Sequence, residues 1–448
     1  MTMFLSIAIA MVAGVLLTRV TKHFNMPDVT AYLIAGIIIG PACLGRLGIE
    51  GLGFTSYEAV EELTLLSNLA LGFIAFALGS EFMLPKLRTI GRQAVVIGIV
   101  QALVAVVFVG GALIILHFII PDKLSLPTAI VMAAIASATA PAATLLVVQQ
   151  FKAKGAVTDV LLPVVALDDA VGLVCFAVAM GVARSLIGGE VGIISIVINP
   201  LIEIAGSLIL GAVLGYVLTI LEKTFHANKN RLIFVVSMVI LTVALSMMEF
   251  DFGEVEISFS SLLVCMMMGT VFCNTCPVAE DMMARADKWT APLYCLFFVM
   301  SGADLQFSVF TDLTIVLVGI VYIVFRTLGK YFGSMWSAKA TGCPPQVVKY
   351  LGITLLPQAG VSLGMSITAA SLLGETGSLI RSLTLFAVLI YELIGPSLTK
   401  WALTKSGDIK PKSEEVLRRR ETLLKETAEN RSAAIAETRD RHKKTGAD

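Results

Sequence analysis

Charge is what this chain has least of. Asp, Glu, Lys and Arg make up 15% of its 448 residues, against 57% for apolar side chains, and the mean hydropathy is +0.88. The core of a soluble domain of this length would need far less apolar surface, so the composition points to a lipid-embedded class. Charge of one sign is missing as well. The formal net charge is +0, and the basic Arg418-Arg419-Arg420 run is interleaved with acids, which excludes the one-signed face of a nucleic-acid binder. Cysteine is sparse and scattered, reading as small buried hydrophobes. One close pair, Cys273 and Cys276, is weak evidence for metal or redox chemistry, and no cofactor is expected. No basic region precedes the first apolar run and no clear cleavage site follows it, so that run reads as a retained span. The alternation of lipid-facing and lumen-facing residues that marks a membrane β-barrel is also lacking.

What is there is a series of apolar runs. They lie at about 2–19, 29–45, 63–80, 93–119, 127–149, 157–183, 197–221, 231–248, 259–275, 289–303, 312–333, 346–373 and 380–399. The fold class is therefore an all-α polytopic membrane protein of about thirteen spans over 1–399. The segment 400–448 is dense in charge and has no run near the roughly 20 apolar residues needed to cross hydrocarbon, so it reads as an aqueous tail. Basic residues such as Lys86, Arg88, Lys152, Lys223, Arg285 and Lys339 follow odd-numbered spans. After even-numbered spans only Arg46, Lys123, Arg184 and Arg381 appear. This bias places the N-terminus outside and the tail in the cytoplasm. The outer joints are acidic instead, with Glu50, Glu58, Glu61 and Glu62 in one and Glu249, Asp251, Glu254 and Glu256 in another.

Two spans carry a proline at mid-depth. The fifth reads Ser137-Ala138-Thr139-Ala140-Pro141 and the twelfth Leu355-Leu356-Pro357-Gln358-Ala359-Gly360. Proline removes a backbone donor and clashes with the preceding turn, so both helices should break there. Their matched placement suggests inverted six-helix repeats about a linking span, with the two broken helices crossing near the membrane centre.

Beside the first break, the sixth span holds Asp168-Asp169 among apolar residues. A carboxylate at membrane depth is costly unless paired, hydrated or protonated, and marks an ion pathway or proton relay. Neighbouring residues on a helix point about 100° apart, so the two acids should meet different surroundings. Arg326 and Lys330 in the eleventh span share a face and are candidate partners. Arginine keeps its charge almost anywhere, whereas a buried lysine can release a proton, so Arg326 reads as the fixed partner and Lys330 as the exchangeable one. Either could instead anchor the cytoplasmic end by snorkelling. Carbonyls freed between Thr139 and Pro141, with the Thr139 hydroxyl, could help hold a cation, and the helix ends near Pro357 and Gln358 could complement its charge. An oxygen-rich site of this kind suits Na⁺ or another hard cation.

Taken together and in this order, the three elements resemble the bacterial monovalent cation/proton antiporters of the CPA2 superfamily, the group with electrogenic two-aspartate Na⁺/H⁺ antiporters. The resemblance runs from about residue 3 to 399. It implies that Asp168 and Asp169 bind the ion and protons, with Asp169 as the indispensable ligand. It matches Thr139, Ala140 and Pro141 to the broken helix, and Gly329-Lys330-Tyr331-Phe332-Gly333 to the pattern whose lysine pairs with the first aspartate. It further implies a homodimer in the bacterial inner membrane, with a bundle that slides against a scaffold like an elevator. The core helices are expected at about 63–183 and 289–399. Ser-Ala-Thr-Ala-Pro departs from the Thr-Asp-Pro or Thr-Ser-Pro of some relatives, which leaves Na⁺, Li⁺ or K⁺ open as cargo. Asp168 stands where the glutathione-gated K⁺ efflux relatives have Gln, and the 400–448 tail is too short for their nucleotide-binding domain. The expected function is secondary antiport rather than catalysis. The rival is a cation channel or gated efflux pathway using the same acids. An aspartyl protease would need two acids that face each other, which adjacent positions on one helix do not provide.

Overall fold

A computed structural model of the chain describes residues 3–24, 26–49, 52–79, 82–187, 199–225, 228–248, 250–252, 255–257, 259–305 and 310–410. The apolar runs become helices: α1 (Met3–His23), α2 (Asp28–Ile39), a short α3 (Tyr57–Glu61), α4 (Thr64–Gly79), α5 (Leu84–Ile119), α6 (Leu126–Ile135), α7 (Pro141–Phe151) and α8 (Ala156–Ile187). There follow α9 (Asn199–Thr224), α10 (Asn228–Ser246), α11 (Ser261–Thr275), α12 (Ala279–Ala303), α13 (Leu313–Ala340), α14 (Pro345–Thr354) and α15 (Gly360–Ser406). One acidic joint forms a small antiparallel hairpin, β1 (Phe250–Phe252) on β2 (Val255–Ile257), in which Asp251 pairs with Glu256. Glu50, Glu249, Glu254 and the tail from residue 411 on, including Arg418-Arg419-Arg420, lie outside the described residues; 400–406 belongs to α15.

Among the described residues, seven helices are long and apolar enough to cross a membrane. Their outer faces carry large apolar side chains, such as Val107, Phe118, Ile209, Leu313 and Leu317. In water such surface would drive association; against lipid tails it is the expected exterior. The molecule is thus an all-α polytopic membrane protein.

Packing sorts the helices into two groups. α11 lies against α9 and α4, α12 against α2, α4 and α1, and α10 completes this first group. The second is built on α13 against α5, with α6, α8, α14 and α15 around them. α7 sits on the seam, touching α8 and α15 on one side and α2 and α4 on the other. Close packing stiffens the first group: a Cβ on Gly36 of α2 would collide with the backbone carbonyl of Val299 in α12, and one on Gly302 with that of Leu33. Without a hydrophobic force between helices in lipid, this small-residue contact is what brings them together.

The second group contains both interruptions. Its α15 is itself bent at Gly374, whose φ of +56° only glycine adopts cheaply. Where the sequence suggests a joint between 373 and 380, the chain therefore turns within one residue and resumes as helix. The far end of α15 folds back on α8: the Asp408 carboxylate accepts from the Thr158 N–H at 2.7 Å and the Thr158 hydroxyl at 2.8 Å. It serves orphan donors in the first turn of α8, as an N-cap would.

Gly36→Val forces α2 and α12 apart. It is expected to cost about 1–3 kcal/mol, read as a lowered Tm of the purified protein in detergent; an unchanged Tm would show that the contact is not needed.

Candidate functional site

Each interruption has a local cause. Pro141 is the first residue of α7, where a missing N–H costs nothing, and it bars Ala140 from helical geometry; Ala140 is extended at φ −84°, ψ 104°. Pro357 lies inside the non-helical stretch between α14 and α15, three residues before Gly360, the first residue of α15. The two irregular segments, 136–140 and 355–359, meet: the Ala140 N–H donates to the Pro357 carbonyl at 2.8 Å, and the Thr139 hydroxyl reaches the Leu355 carbonyl at 3.2 Å. Gln358 bridges them, its Nε2 lying 3.2 Å from the Ile135 carbonyl and 2.8 Å from the Tyr322 hydroxyl.

A broken helix in hydrocarbon frees carbonyls that nothing else there can serve. α13 supplies the donors. Arg326 donates from Nε to Ala136 O (3.1 Å), from one terminal nitrogen to Leu356 O (2.8 Å) and from the other to Ala138 O (2.7 Å). Its guanidinium lies over the Tyr391 ring, 4.5 Å from the centroid. One turn on, Lys330 donates to the Ser137 carbonyl, to the Thr139 hydroxyl at 2.9 Å and to Asp168 Oδ2 at 2.7 Å. Both cations have 0% exposure, so neither snorkels. The carbonyls that α13 holds are those of Ala136, Ser137 and Ala138, just before the Thr139 to Pro141 stretch that the sequence singles out. The Thr139 hydroxyl likewise sits with Lys330 and donates to Asp168.

The adjacent acids differ sharply. Asp168 is saturated: Lys330 and Thr139 serve Oδ2, and Gln101 Nε2 of α5 donates to Oδ1 at 2.5 Å. Asp169, 6% exposed, has an Oδ1 with no hydrogen-bond partner among the described residues. It borders a cavity of about 170 Å³ between the helix groups, walled by Leu71, Met266 and Phe298 on one side and Ala140, Pro141 and Gly360 on the other. A second cavity of about 400 Å³, with Phe73, Gln149, Glu280 and Thr290 in its wall, lies along the same seam. The arrangement has one carboxylate locked in an ion pair and one presented to an apolar space where a small cation or a proton could neutralise it.

Asp168, Asp169, Thr139, Ala140, Pro141, Arg326, Lys330, Pro357 and Gln358 come together here. Three others are added. Gln101 was detectable as an isolated amide in the 93–119 apolar run; Tyr322 precedes Arg326 by one turn on the same face; Tyr391 carried no sequence signal. Cys273 and Cys276 form no disulfide, and Cys273 Sγ reaches the Thr270 carbonyl at 3.2 Å. Among the described residues no cluster of three or more His, Cys, Asp or Glu is placed to hold a metal.

Comparison with known proteins gives a consistent picture. The family described as "Sodium/hydrogen exchanger, transmembrane" matches residues 7–405. The Na⁺/H⁺ antiporter NhaS4 of Synechocystis sp. is 24% identical over 360 residues, 77% of this chain and 83% of that one. Two structures of the sodium proton antiporter MjNhaP1 from Methanocaldococcus jannaschii share the fold. The one at pH 8 has a TM-score of 0.63 at 20% identity, covering 90% of this chain and 97% of that one. The electron-microscopy map gives 0.69 at 18%, covering 91% and 98%.

Arg326→Met keeps the bulk of the side chain but strands three buried carbonyls, each worth about 1–3 kcal/mol. A marked loss of Tm is expected, recovered only in part by Arg326→Lys, whose single ammonium lacks the fork; full recovery would mean that charge alone suffices.

Proposed function

The chain belongs to the sodium/hydrogen exchanger family, and from that premise we propose that it exchanges Na⁺ for H⁺ at Asp169, as an electrogenic two-aspartate antiporter of the CPA2 type. It is a multi-pass membrane cation/proton antiporter and not an enzyme. The observation that carries the finer reading is the orphan Oδ1 of Asp169 at the seam cavity, next to an Asp168 whose oxygens are all engaged. A bare carboxylate at this depth is strongly disfavoured. It can cross only with a cation or a proton, and since both seek the same oxygen, binding of one releases the other. That competition couples the two fluxes.

Lys330 and Asp168 are the second proton-handling pair. When Asp168 turns to the ion, Lys330 loses its counter-charge and can shed a proton, so that more protons than cations move per cycle. Arg326 does not titrate and keeps both interruptions in place throughout. The moving unit is α5–α8 with α13–α15, sliding like an elevator against α1, α2, α4 and α9–α12. This core is narrower than the 63–183 and 289–399 read from the sequence, because α4 packs on α11 and α12 packs on α2. The cavity at Asp169 lies on that sliding surface. The fold is read as thirteen crossings, α6 with α7 and α14 with the 360–373 part of α15 each forming one, arranged as inverted repeats. The N-terminus is placed outside and the tail in the cytoplasm, in a homodimer in the bacterial inner membrane. The role would be sodium extrusion and pH homeostasis, with Li⁺ or K⁺ as alternative cargo.

Protein in liposomes, given Na⁺, Li⁺ or K⁺ gradients separately with internal pH and membrane potential recorded, tests the reading. Opposed, electrogenic proton movement is expected with Na⁺; cation flux without it leaves the channel. Asp169→Asn is expected to reduce exchange to the level of empty liposomes with Tm unchanged, and retained exchange removes Asp169 as the carrier. Lys330→Ala is expected to change the current per cation and the pH profile; if both stay as in the parent, the lysine has no part in the cycle.

A further inference from the structure

Away from the site, a third intramembrane carboxyl stands in α15. Glu392 is 2% exposed, and both its oxygens lie against one hydroxyl, Ser301 Oγ of α12, at 3.0 and 3.1 Å. A hydroxyl has one proton to donate and serves one of those oxygens at a time. No ion pair reaches Glu392 among the described residues. Asp168, by contrast, has a lysine, a hydroxyl and an amide. A charged Glu392 with a single neutral donor would be costly at this depth. With a proton bound, the cost disappears: its O–H donates to Ser301 Oγ while the Ser301 hydroxyl donates to the other oxygen.

The place of this contact gives it a consequence. Ser301 lies next to Gly302, where α12 is pressed onto α2, whereas Glu392 rides on α15 next to Tyr391, which lies under Arg326. The contact therefore spans the seam. Other hydrogen bonds that span it lie towards the opposite end: the Asp28 N–H, at the start of α2, donates to Gln150 Oε1 at 2.9 Å, and the Leu84 N–H to Asn274 Oδ1, near the end of α11, at 2.8 Å. In the proposed orientation those two are cytoplasmic and Ser301 is in the outer half.

The elements packed on α15 bring few charged or titratable groups. Asp304, just past the end of α12 and three residues from Ser301, is itself an acid and would oppose a charge on Glu392. Arg326 and Lys330 of α13 and Asp168 of α8 are engaged with one another and with the interruptions. Asp169 of α8 borders the cavity. α2 brings Asp28 and Tyr32, α14 brings Lys349 and Tyr350, and α6 and α7 bring none.

We propose that Glu392 and Ser301 form a second proton-binding site, separate from Asp168 and Asp169, whose bound proton latches the outer half of the seam shut. Loss of the proton would leave a carboxylate that must reach water, and the seam would part there. The seam's motion rests on the antiport reading; the proton site does not.

Infrared titration of the purified full chain, together with exchange in liposomes at fixed inner and varied outer pH, tests the proposal. A protonated carboxyl band that disappears on raising the pH is expected in the parent and absent in Glu392→Gln. That variant mimics the latched form, so its exchange at alkaline outer pH is expected to fall about fivefold, the factor governed by one hydrogen bond of ordinary net strength. Ser301→Ala removes the latch but not the acid, and is expected to raise exchange at acid outer pH by a similar factor. A parent spectrum without the band, or with one that persists in Glu392→Gln, overturns the site. Exchange profiles of both variants that superimpose on the parent overturn the latch. If Glu392→Gln does not fold, a shift of the titrating band in Ser301→Ala decides the assignment, and its absence overturns it. Should the parent exchange no cation at all, the antiport reading fails while the spectrum still decides the proton site.

Discussion

Two interrupted helices can lie at the centre of this fold because one helix brings the donors they lack. In water the carbonyls of 136–138 and 355–357 would be hydrated. At hydrocarbon depth each would cost several kcal/mol, and the interruptions would close into continuous helix or find protein donors. α13 meets the need with Arg326, whose three bonds reach both interruptions at once, and with Lys330 on the next turn. The rest follows from that helix. It fixes where the interruptions meet, it carries the counter-charge for Asp168, and its packing on α5 brings Gln101 to the other oxygen of the same acid.

The same arrangement explains why two neighbouring aspartates do different work. A helix turns about 100° per residue, so only one of them can face α13. Asp168 does, and its oxygens are filled. Asp169 looks to the seam, where the wall is almost wholly apolar and its Oδ1 has no hydrogen-bond partner among the described residues. An orphan acceptor of this kind is a liability for stability, and native structures seldom keep one without a use for it. The energetic cost sits at a single oxygen, where a cation or a proton could relieve it.

Much of this was legible in the sequence, for physical reasons. Apolar run length locates the helices because hydrocarbon thickness is fixed. Pro141 and Pro357 mark the interruptions because proline disfavours helix just before it, although Pro163, Pro292 and Pro396 sit inside continuous helix, and a carboxylate pair in an oily span is too expensive to be incidental. What could not be read was who bonds to whom. That Arg326 and Lys330 hold the carbonyls of Ala136, Ser137, Ala138 and Leu356 depends on how α13 crosses the interruptions, which no local pattern encodes. Gln101 and Glu392 were each visible as a polar residue in an apolar run, but their partners lie 67 and 91 positions away. The packing partners of α2 and α12 were hidden for the same reason: Gly36 lies against Val299, and glycine alone does not say what it touches.

Rigidity and mobility are divided along the same lines. Within each group, backbones touch through glycine or are tied by charged donors, contacts that tolerate no sliding. Between the groups lie two cavities, the apolar wall at Asp169, and a few polar bonds placed towards the ends of the helices. The freed carbonyls of Ala136, Ala138 and Leu356 are bonded by Arg326, inside the second group, so none of the three needs a donor from across the seam. The stitching by α13 is therefore what stabilises the core of the second group from within. With the carbonyls of Ala136, Ala138 and Leu356 bonded by Arg326 and that of Pro357 by the Ala140 N–H, the second group holds its interruptions together without donors from the first.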